Sequence, residues 1–102
     1  MSVKLIMNWD IKPGMDQDYF EFVVREWVPN TNKMGLQMIG AWYTVYSRGD
    51  APQIMAEAIA DDINVMREII DSPEWDDLHE KLMDYVENYT QKVVNATGDF
   101  QL

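Results

Sequence analysis

Residues 36–47, LQMIGAWYTVYS, constrain the fold more than any other stretch of the chain. If they form a strand, both of its faces carry apolar side chains, because side chains alternate with a period of two. One face is predicted to hold Met38, Trp42 and Tyr46, and the other Ile39, Ala41, Tyr43 and Val45. Such a strand needs a cover on each side, and the two predicted helical segments can supply only one. We expect a second copy of the chain to supply the other.

Length and charge limit the class of protein. The 102 residues predict a single domain, residues 1–102. The 18 acidic side chains outnumber the 8 basic ones and give a net charge of −10. Because such a chain repels phosphate groups, binding to nucleic acids through a basic face is excluded, and binding to anionic membranes is disfavoured.

The chain contains no cysteine, which excludes disulfides, thiolate zinc sites and a cysteine nucleophile. The apolar run before Asn8 is too short for a signal peptide. No stretch approaches the ~20 apolar residues that span a membrane. The sequence therefore predicts a cytoplasmic protein without a membrane partner.

Apolar spacing predicts the elements of the first half. Val3–Ile11 is predicted to be a strand with its odd-numbered residues on one face. Residues 16–28 carry an apolar stripe at helical spacing, and Pro29 is expected to end that helix. Two strands follow within residues 36–60, joined by a turn at residues 48–52.

The second half predicts a helix in two pieces and then a strand. Asp61 and Asp62 can cap a short helix, and Ser72 with Pro73 suits the start of another. The second piece carries an apolar stripe made of Trp75, Leu78, His79, Leu82, Tyr85, Val86 and Tyr89. Residues 90–97 could extend this helix or form a strand, and their β-branched side chains favour the strand.

The resulting order, β-α-β-β-α-β, predicts an α+β protein with a ferredoxin-like fold. Helices would cover one face of a four-stranded antiparallel sheet, and the second helix would be broken near Ser72-Pro73. The other face would be bare and would carry large apolar groups. Two such faces that pack together about a two-fold axis would form a homodimer.

In these features the chain resembles the dimeric α+β barrel superfamily, across nearly all of its 102 residues. The resemblance rests on the element order, the aromatic-rich strand LQMIGAWYTVY and the helix opening DSPEWDDLHEKL. That opening is similar to the helix start of the NIPSNAP-like and antibiotic-biosynthesis-monooxygenase-like branches. The resemblance implies a homodimer; members include cofactor-independent monooxygenases, heme-degrading enzymes and ligand-sensing domains.

His79 and Asn8 are the candidate catalytic residues. His79 is the only histidine, and it could exchange a proton near neutral pH or bind iron. It could also be a partly buried core residue that is hydrogen-bonded to the backbone or to a tyrosine. Asn8 is unusual within a strand, where it could line a pocket or lie at a solvated end of the sheet.

Resemblance to the heme-degrading branch gives the same two residues a sharper role. Asn8 matches an asparagine on the first strand of those enzymes, and His79 matches their heme-ligating histidine. Ile69 stands where they carry a heme-distorting tryptophan, which argues against heme. No cofactor is therefore expected, with heme as the alternative, and no metal site is expected because the helix carboxylates lack histidine partners.

Four further residues are predicted to contact a ligand: Trp42, Tyr43, Glu57 and Trp75. The aromatic rings could stack on a flat apolar molecule, or they could belong to the core or a dimer interface. Glu57 lies among apolar neighbours, so it could have a raised pKa and act as a general base. Alternatively, it could pair with a cation such as Lys4, Arg48 or Lys92.

Two functions fit this pattern. The favoured one is a homodimeric α+β barrel protein, non-enzymatic or of uncharacterised activity, that could bind a small apolar or aromatic ligand between its sheet and helices. The alternative is a cofactor-independent monooxygenase or isomerase that acts on an aromatic or polyketide-like substrate. The second hypothesis requires Asn8 and His79 to lie on the same side of the sheet.

Overall fold

A computed structural model describes residues 1–43 and 52–96 of the chain. These residues include four strands: β1 (Val3–Ile11), β2 (Gln37–Tyr43), β3 (Ile54–Ala60) and β4 (Val86–Asn95). The strands form one antiparallel sheet with the order β2-β3-β1-β4. The helices are α1 (Asp16–Phe22), α2 (Val28–Met34), α3 (Ile63–Ile70) and α4 (Pro73–Leu82). The predicted α+β, ferredoxin-like fold is confirmed.

The two central strands show which face of the sheet is covered. Odd-numbered residues of β1, from Val3 to Ile11, are buried, while its even-numbered residues are half-buried. Directly paired residues of neighbouring strands share a face, so the covered face continues into β3 through Ile54, Ala56, Ala58 and Ala60. We call the helix-packed side the covered face and the opposite side the bare face.

The predicted faces of β2 are wrong in one respect. The pairing of β2 with β3 shifts between Met38 and Gly40, so Ile39 is an extra residue. Met38 therefore pairs with Ala58 on the covered face, whereas Trp42 pairs with Met55 on the bare face. A strict period of two had put Met38 and Trp42 on the same face. Val45, Tyr46 and the predicted turn at residues 48–51 lie outside the described residues.

The first helical region is longer than predicted, because Pro29 does not end it. Between α1 and α2, residues Val23–Trp27 form a π-helical turn, in which the Val28 N–H donates to the Val23 carbonyl. Pro29 then lies in the first turn of α2, where its missing N–H breaks no helical hydrogen bond. The region ends at Gly35, whose φ of 97° is a left-handed cap.

The second helical region is broken as predicted. The Asp62 carboxylate accepts from the Val65 N–H at 2.9 Å, which caps α3. The Ser72 hydroxyl accepts from the Trp75 N–H at 3.1 Å, which caps α4. Both caps satisfy backbone donors that the first turn of a helix leaves free.

The apolar stripe assigned to the last helix extends too far in the sequence prediction. Helix α4 ends at Leu82, so Tyr85, Val86 and Tyr89 do not belong to it. Val86 instead pairs with Ile11 at the start of β4, and Tyr89 stacks on Trp9. Strand β4 reaches Asn95, which confirms the preference for a strand there. Among the described residues, no helix combines the length and apolar character that crossing a membrane requires.

Candidate functional site

An aromatic cluster on the covered face is centred on Trp9. Its indole lies edge-on to Trp27, with ring centroids 6.1 Å apart, and parallel to Tyr89 at 5.8 Å. The Trp9 Nε1–H donates to the Tyr19 hydroxyl at 3.0 Å, and both side chains are buried. Four aromatic side chains, from β1, α1, the π-helical turn and β4, thus meet in this cluster.

A cavity of about 360 Å³ lies beside this cluster, between the sheet and the first helical region. Its walls include Trp9, Tyr19 and Trp27, together with Met38, Ile54 and Ala56. The bulged residues of β2 complete the lining, and the exposed Ile39 and Ala41 mark its mouth. No charged side chain occurs among the described residues that line it.

Small residues on two strands leave this space open. Ala56 and Ala41 are paired across β3 and β2, and both line the cavity. Gly40 stands next to them, and a Cβ built there would lie 2.9 Å from the Trp42 ring. The indole of Trp42 therefore lies across Gly40 on the bare face. The absence of a side chain at Gly40 therefore makes room on the bare face, and the small side chains of Ala41 and Ala56 are what leave space on the cavity side.

Trp27 is the last residue of the π-helical turn and lines the cavity. It is 1% exposed, and its buried Nε1 has no hydrogen-bond partner among the described residues. A buried donor without a partner is unfavourable, and most such groups in proteins are satisfied. Tyr19 is also buried in the lining, and burial raises its pKa to about 12, opposed by the Trp9 hydrogen bond. Its hydroxyl is therefore protonated at neutral pH.

His79 lies at the edge of the same aromatic cluster. Its ring meets Tyr89 edge-on at 4.5 Å and lies 6.2 Å from Trp75. Burial lowers the pKa of His79, opposed by the nearby charge of Asp76. The imidazole is thus a neutral base at pH 7. It does not line the 360 Å³ cavity.

Asn8 lies on the opposite side of the sheet from His79. It belongs to the bare face with Lys4, Ile6 and Asp10, whereas α4 packs on the covered face. The Oδ1 atom of Asn8 is buried and has no hydrogen-bond partner among the described residues. The structure therefore does not bring the two predicted catalytic residues into one site.

The four residues predicted to contact a ligand also lie apart from the cavity. Glu57 forms an ion pair with Lys4 on the bare face, with Oε1 and Nζ 3.2 Å apart. Trp42 is 52% exposed on that face. Tyr43 is exposed, and its hydroxyl accepts from the Gln53 side chain at 3.0 Å. Trp75 is buried against Trp27, with ring centroids 5.6 Å apart.

The sequence predicted no function for the helical residues that line the cavity. Tyr19, Val23 and Trp27 were assigned only to the apolar stripe of the first helix, yet all three line the cavity. Their helical spacing predicted that they share the apolar face of the helix, but nothing in the sequence predicted a cavity between that face and the sheet. No group of three or more histidine, cysteine or acidic side chains within residues 1–43 and 52–96 is placed to hold a metal ion.

No family model and no curated protein matches the sequence. Solved structures of similar fold do exist. A protein from Bacillus halodurans that is described as a member of the ethyl tert-butyl ether d (EthD) family has a TM-score of 0.71 and 23% identity, over 93% of this chain and 98% of that one. A NIPSNAP family protein from Agrobacterium tumefaciens has a TM-score of 0.66 and 13% identity, over 92% and 91%.

A third structure, from Bacteroides fragilis, is described as a dimeric protein of unknown function with a ferredoxin-like fold. Its TM-score is 0.60 and its identity 13%, over 92% of this chain and 95% of that one. At these identities the likeness concerns the fold. It confirms that the chain shares the ferredoxin-like fold of NIPSNAP family structures, as the sequence resemblance implied.

Proposed function

We propose that the protein is a homodimer that binds a small apolar or aromatic molecule in the cavity between its sheet and helices. The proposal depends on the lining of that cavity, which contains three large aromatic side chains and several aliphatic ones. None of the described residues in the lining is charged. Ligand sites in proteins are mostly apolar, with a few polar groups that orient the ligand. Here Tyr19 and Trp27 supply the polar atoms.

The size of the cavity favours a small ligand. Its volume of about 360 Å³ is near the lower end of the roughly 300–1,000 Å³ found for small-molecule sites. A molecule of two or three fused rings fits such a space. A hollow of about 440 Å³ between α2 and α3 is less suited, because Lys33, Glu68 and Glu74 line it.

Homodimer formation is supported by the bare face. Trp42 and Met55 are paired there and exposed, and Ile6 and Ile59 extend the apolar surface towards the centre. The face also carries the Lys4–Glu57 ion pair, so it is more mixed than the sequence predicted. A second copy would cover the apolar side chains and could donate a hydrogen bond to Asn8 Oδ1. The similar protein from Bacteroides fragilis is described as dimeric.

Fluorene, a rigid three-ring hydrocarbon, tests the ligand site. We expect the protein to bind fluorene in equilibrium dialysis and Ala41→Phe to bind it at least roughly tenfold more weakly, because the new ring fills the mouth of the cavity. Val93→Phe is the matched control, since Val93 is partly exposed on the other edge strand and does not line the cavity. It should bind fluorene like the parent protein. Equal binding by all three proteins, or no binding by the parent, would overturn the proposal.

The second candidate function is an enzyme, a cofactor-independent monooxygenase or isomerase, that uses His79 without Asn8. The version that requires both residues on one side of the sheet is ruled out, because they lie on opposite sides. The version without Asn8 is favoured by the neutral, half-buried imidazole beside Tyr89, which could accept a proton from a substrate. A heme titration of the protein and of His79→Gln separates this role from iron ligation. A heme absorbance shift that the substitution abolishes would assign His79 to heme, against the cofactor-independent candidate.

A further inference from the structure

We infer that the ligand of this cavity is a neutral molecule with a carbonyl oxygen that accepts a hydrogen bond from the Trp27 indole N–H. The inference rests on the proposed function and names the chemical class of its ligand. Three observations support it. The Trp27 N–H has no hydrogen-bond partner among the described residues, and the Tyr19 hydroxyl hydrogen is available to donate. The described residues that line the cavity are all uncharged.

Trp27 provides the first step. Its Nε1 is buried and unpaired among the described residues, although the ring is packed between Trp9 and Trp75. A hydrophobic wall needs no N–H, and a phenylalanine there would leave no donor unsatisfied. Nε1 itself is closed to solvent in this structure, so the indole must turn its N–H towards the cavity that Trp27 lines to gain an acceptor atom there as a partner. The ligand therefore carries an acceptor.

Tyr19 provides the second step. Its hydroxyl oxygen already accepts from Trp9 Nε1 at 3.0 Å, so the hydroxyl hydrogen is left to donate. Burial raises the pKa of Tyr19 and keeps that hydrogen in place at neutral pH. The Tyr19 hydroxyl on α1 and the Trp27 N–H on the following π-helical turn are thus two hydrogen-bond donors in the same helical region. A carbonyl oxygen, which has two lone pairs, suits such a lining better than a group that itself donates.

Charge provides the third step. A carboxylate would also accept hydrogen bonds, but a buried anion needs a nearby cation or a full set of donors. No lysine or arginine occurs among the described residues that line the cavity. The chain as a whole has a net charge of −10, which repels anions. The acceptor is therefore neutral.

Three probes of one ring system test this inference: fluorene, 9-fluorenone and fluorene-9-carboxylate. We expect 9-fluorenone to bind roughly tenfold more tightly than fluorene, because a hydrogen bond to a buried donor is gained. The carboxylate should bind more weakly than either. The infrared carbonyl stretch of bound 9-fluorenone should fall below its value in an apolar solvent, which reports the hydrogen bond directly.

Trp27→Phe should remove the preference for 9-fluorenone over fluorene and restore the carbonyl stretch towards its apolar value. Trp75→Phe is the matched control, because Trp75 is also a buried indole beside Trp27 but does not line the cavity. It should keep both the preference and the shifted stretch. If Trp27→Phe does not fold, the infrared shift in the parent protein still decides between hydrogen-bonded and free carbonyl.

The possible outcomes separate the two proposals. If no probe binds, the ligand site itself is wrong. If fluorene and 9-fluorenone bind equally and the carbonyl stretch is unshifted, the site stands but the carbonyl class is overturned. If the carboxylate binds most tightly, the site takes anions and the neutral class is overturned.

Discussion

The pKa of His79 depends more on its burial beside Trp75 and Tyr89 than on the nearby charge of Asp76. Burial lowers the pKa of the imidazole, and the opposing effect of Asp76 is smaller. The unfolded chain therefore holds the His79 proton more tightly than the folded chain does. Protons bind preferentially to the unfolded state in the pH range between the two pKa values, so this group destabilises the fold as the pH falls.

We expect the free energy of unfolding to decrease as the pH falls from about 7 to 5, which spans the ordinary histidine pKa. His79→Gln should show a flatter dependence over the same range, because it removes the titrating group. Urea unfolding at a series of pH values measures both curves. The carboxylates titrate in both proteins, so they cancel in the comparison. Identical slopes for the two proteins would show that His79 does not titrate differently on folding.

Single residues were the hardest part of the site to foresee. The sequence could mark His79 and Asn8 as unusual, because one is the only histidine and the other interrupts a strand. It could not place them relative to each other, since a shift of one residue in register moves a side chain across the sheet. The unpaired Trp27 N–H had no sequence signal, because an indole within an apolar stripe looks like any core residue.

Among the secondary-structure elements, α4 depends most clearly on one side chain. The Ser72 hydroxyl accepts from the Trp75 N–H and donates to the Ile69 carbonyl at 2.7 Å. It therefore links the end of α3 to the start of α4. This contact also positions Trp75 against Trp27, at the edge of the cavity wall.

Ser72→Ala should lower the free energy of unfolding by about 1 kcal/mol, the usual effect of losing a helix cap. Ser72→Thr is the control, because its hydroxyl can make the same two hydrogen bonds. Urea unfolding of the three proteins measures the difference. Equal stability of the alanine variant and the parent would mean that solvent satisfies the Trp75 N–H equally well.

Boundaries show where element prediction from sequence succeeds and fails. Serine and aspartate caps identified both starts in the second helical region, because a cap is a local interaction. The end of α4 was missed because positions 85, 86 and 89 fit both a helical stripe and a packed strand. Pro29 was misread because it follows a π-helical turn and falls in the first turn of α2, a position that tolerates proline. The bulge at Ile39 left no local signal apart from Gly40.

For the whole molecule, the fold was predictable because element order and alternation determine a small set of topologies. Alternation separated the odd-numbered from the even-numbered residues of β1, but it did not show which set the helices cover, because that depends on register. The cavity was not predictable to the same degree, because its volume depends on small residues from β2 and β3 meeting a π-helical turn. Those elements are far apart in the sequence.

The proposed homodimer can be tested through the bare face. We expect sedimentation velocity to give a mass twice that of the 11.9 kDa chain, and Trp42→Glu to give the single-chain mass. A charge at this position would lose its hydration on burial in an interface. Ile63→Glu, a partly exposed apolar position on α3, is the matched control and should remain dimeric. A parent protein of single-chain mass at micromolar concentration would overturn the proposal.

The central claim is that a ligand binds beside Trp27 on the covered face, away from Trp42 on the bare face. The indole N–H groups of the four tryptophans give separate signals in a ¹⁵N-labelled protein, assigned by single substitutions to phenylalanine. On addition of 9-fluorenone, the account predicts the largest shift for Trp27, a smaller one for Trp9 and none for Trp42. A shift of Trp42 with Trp27 unchanged would place the ligand on the bare face and contradict the account.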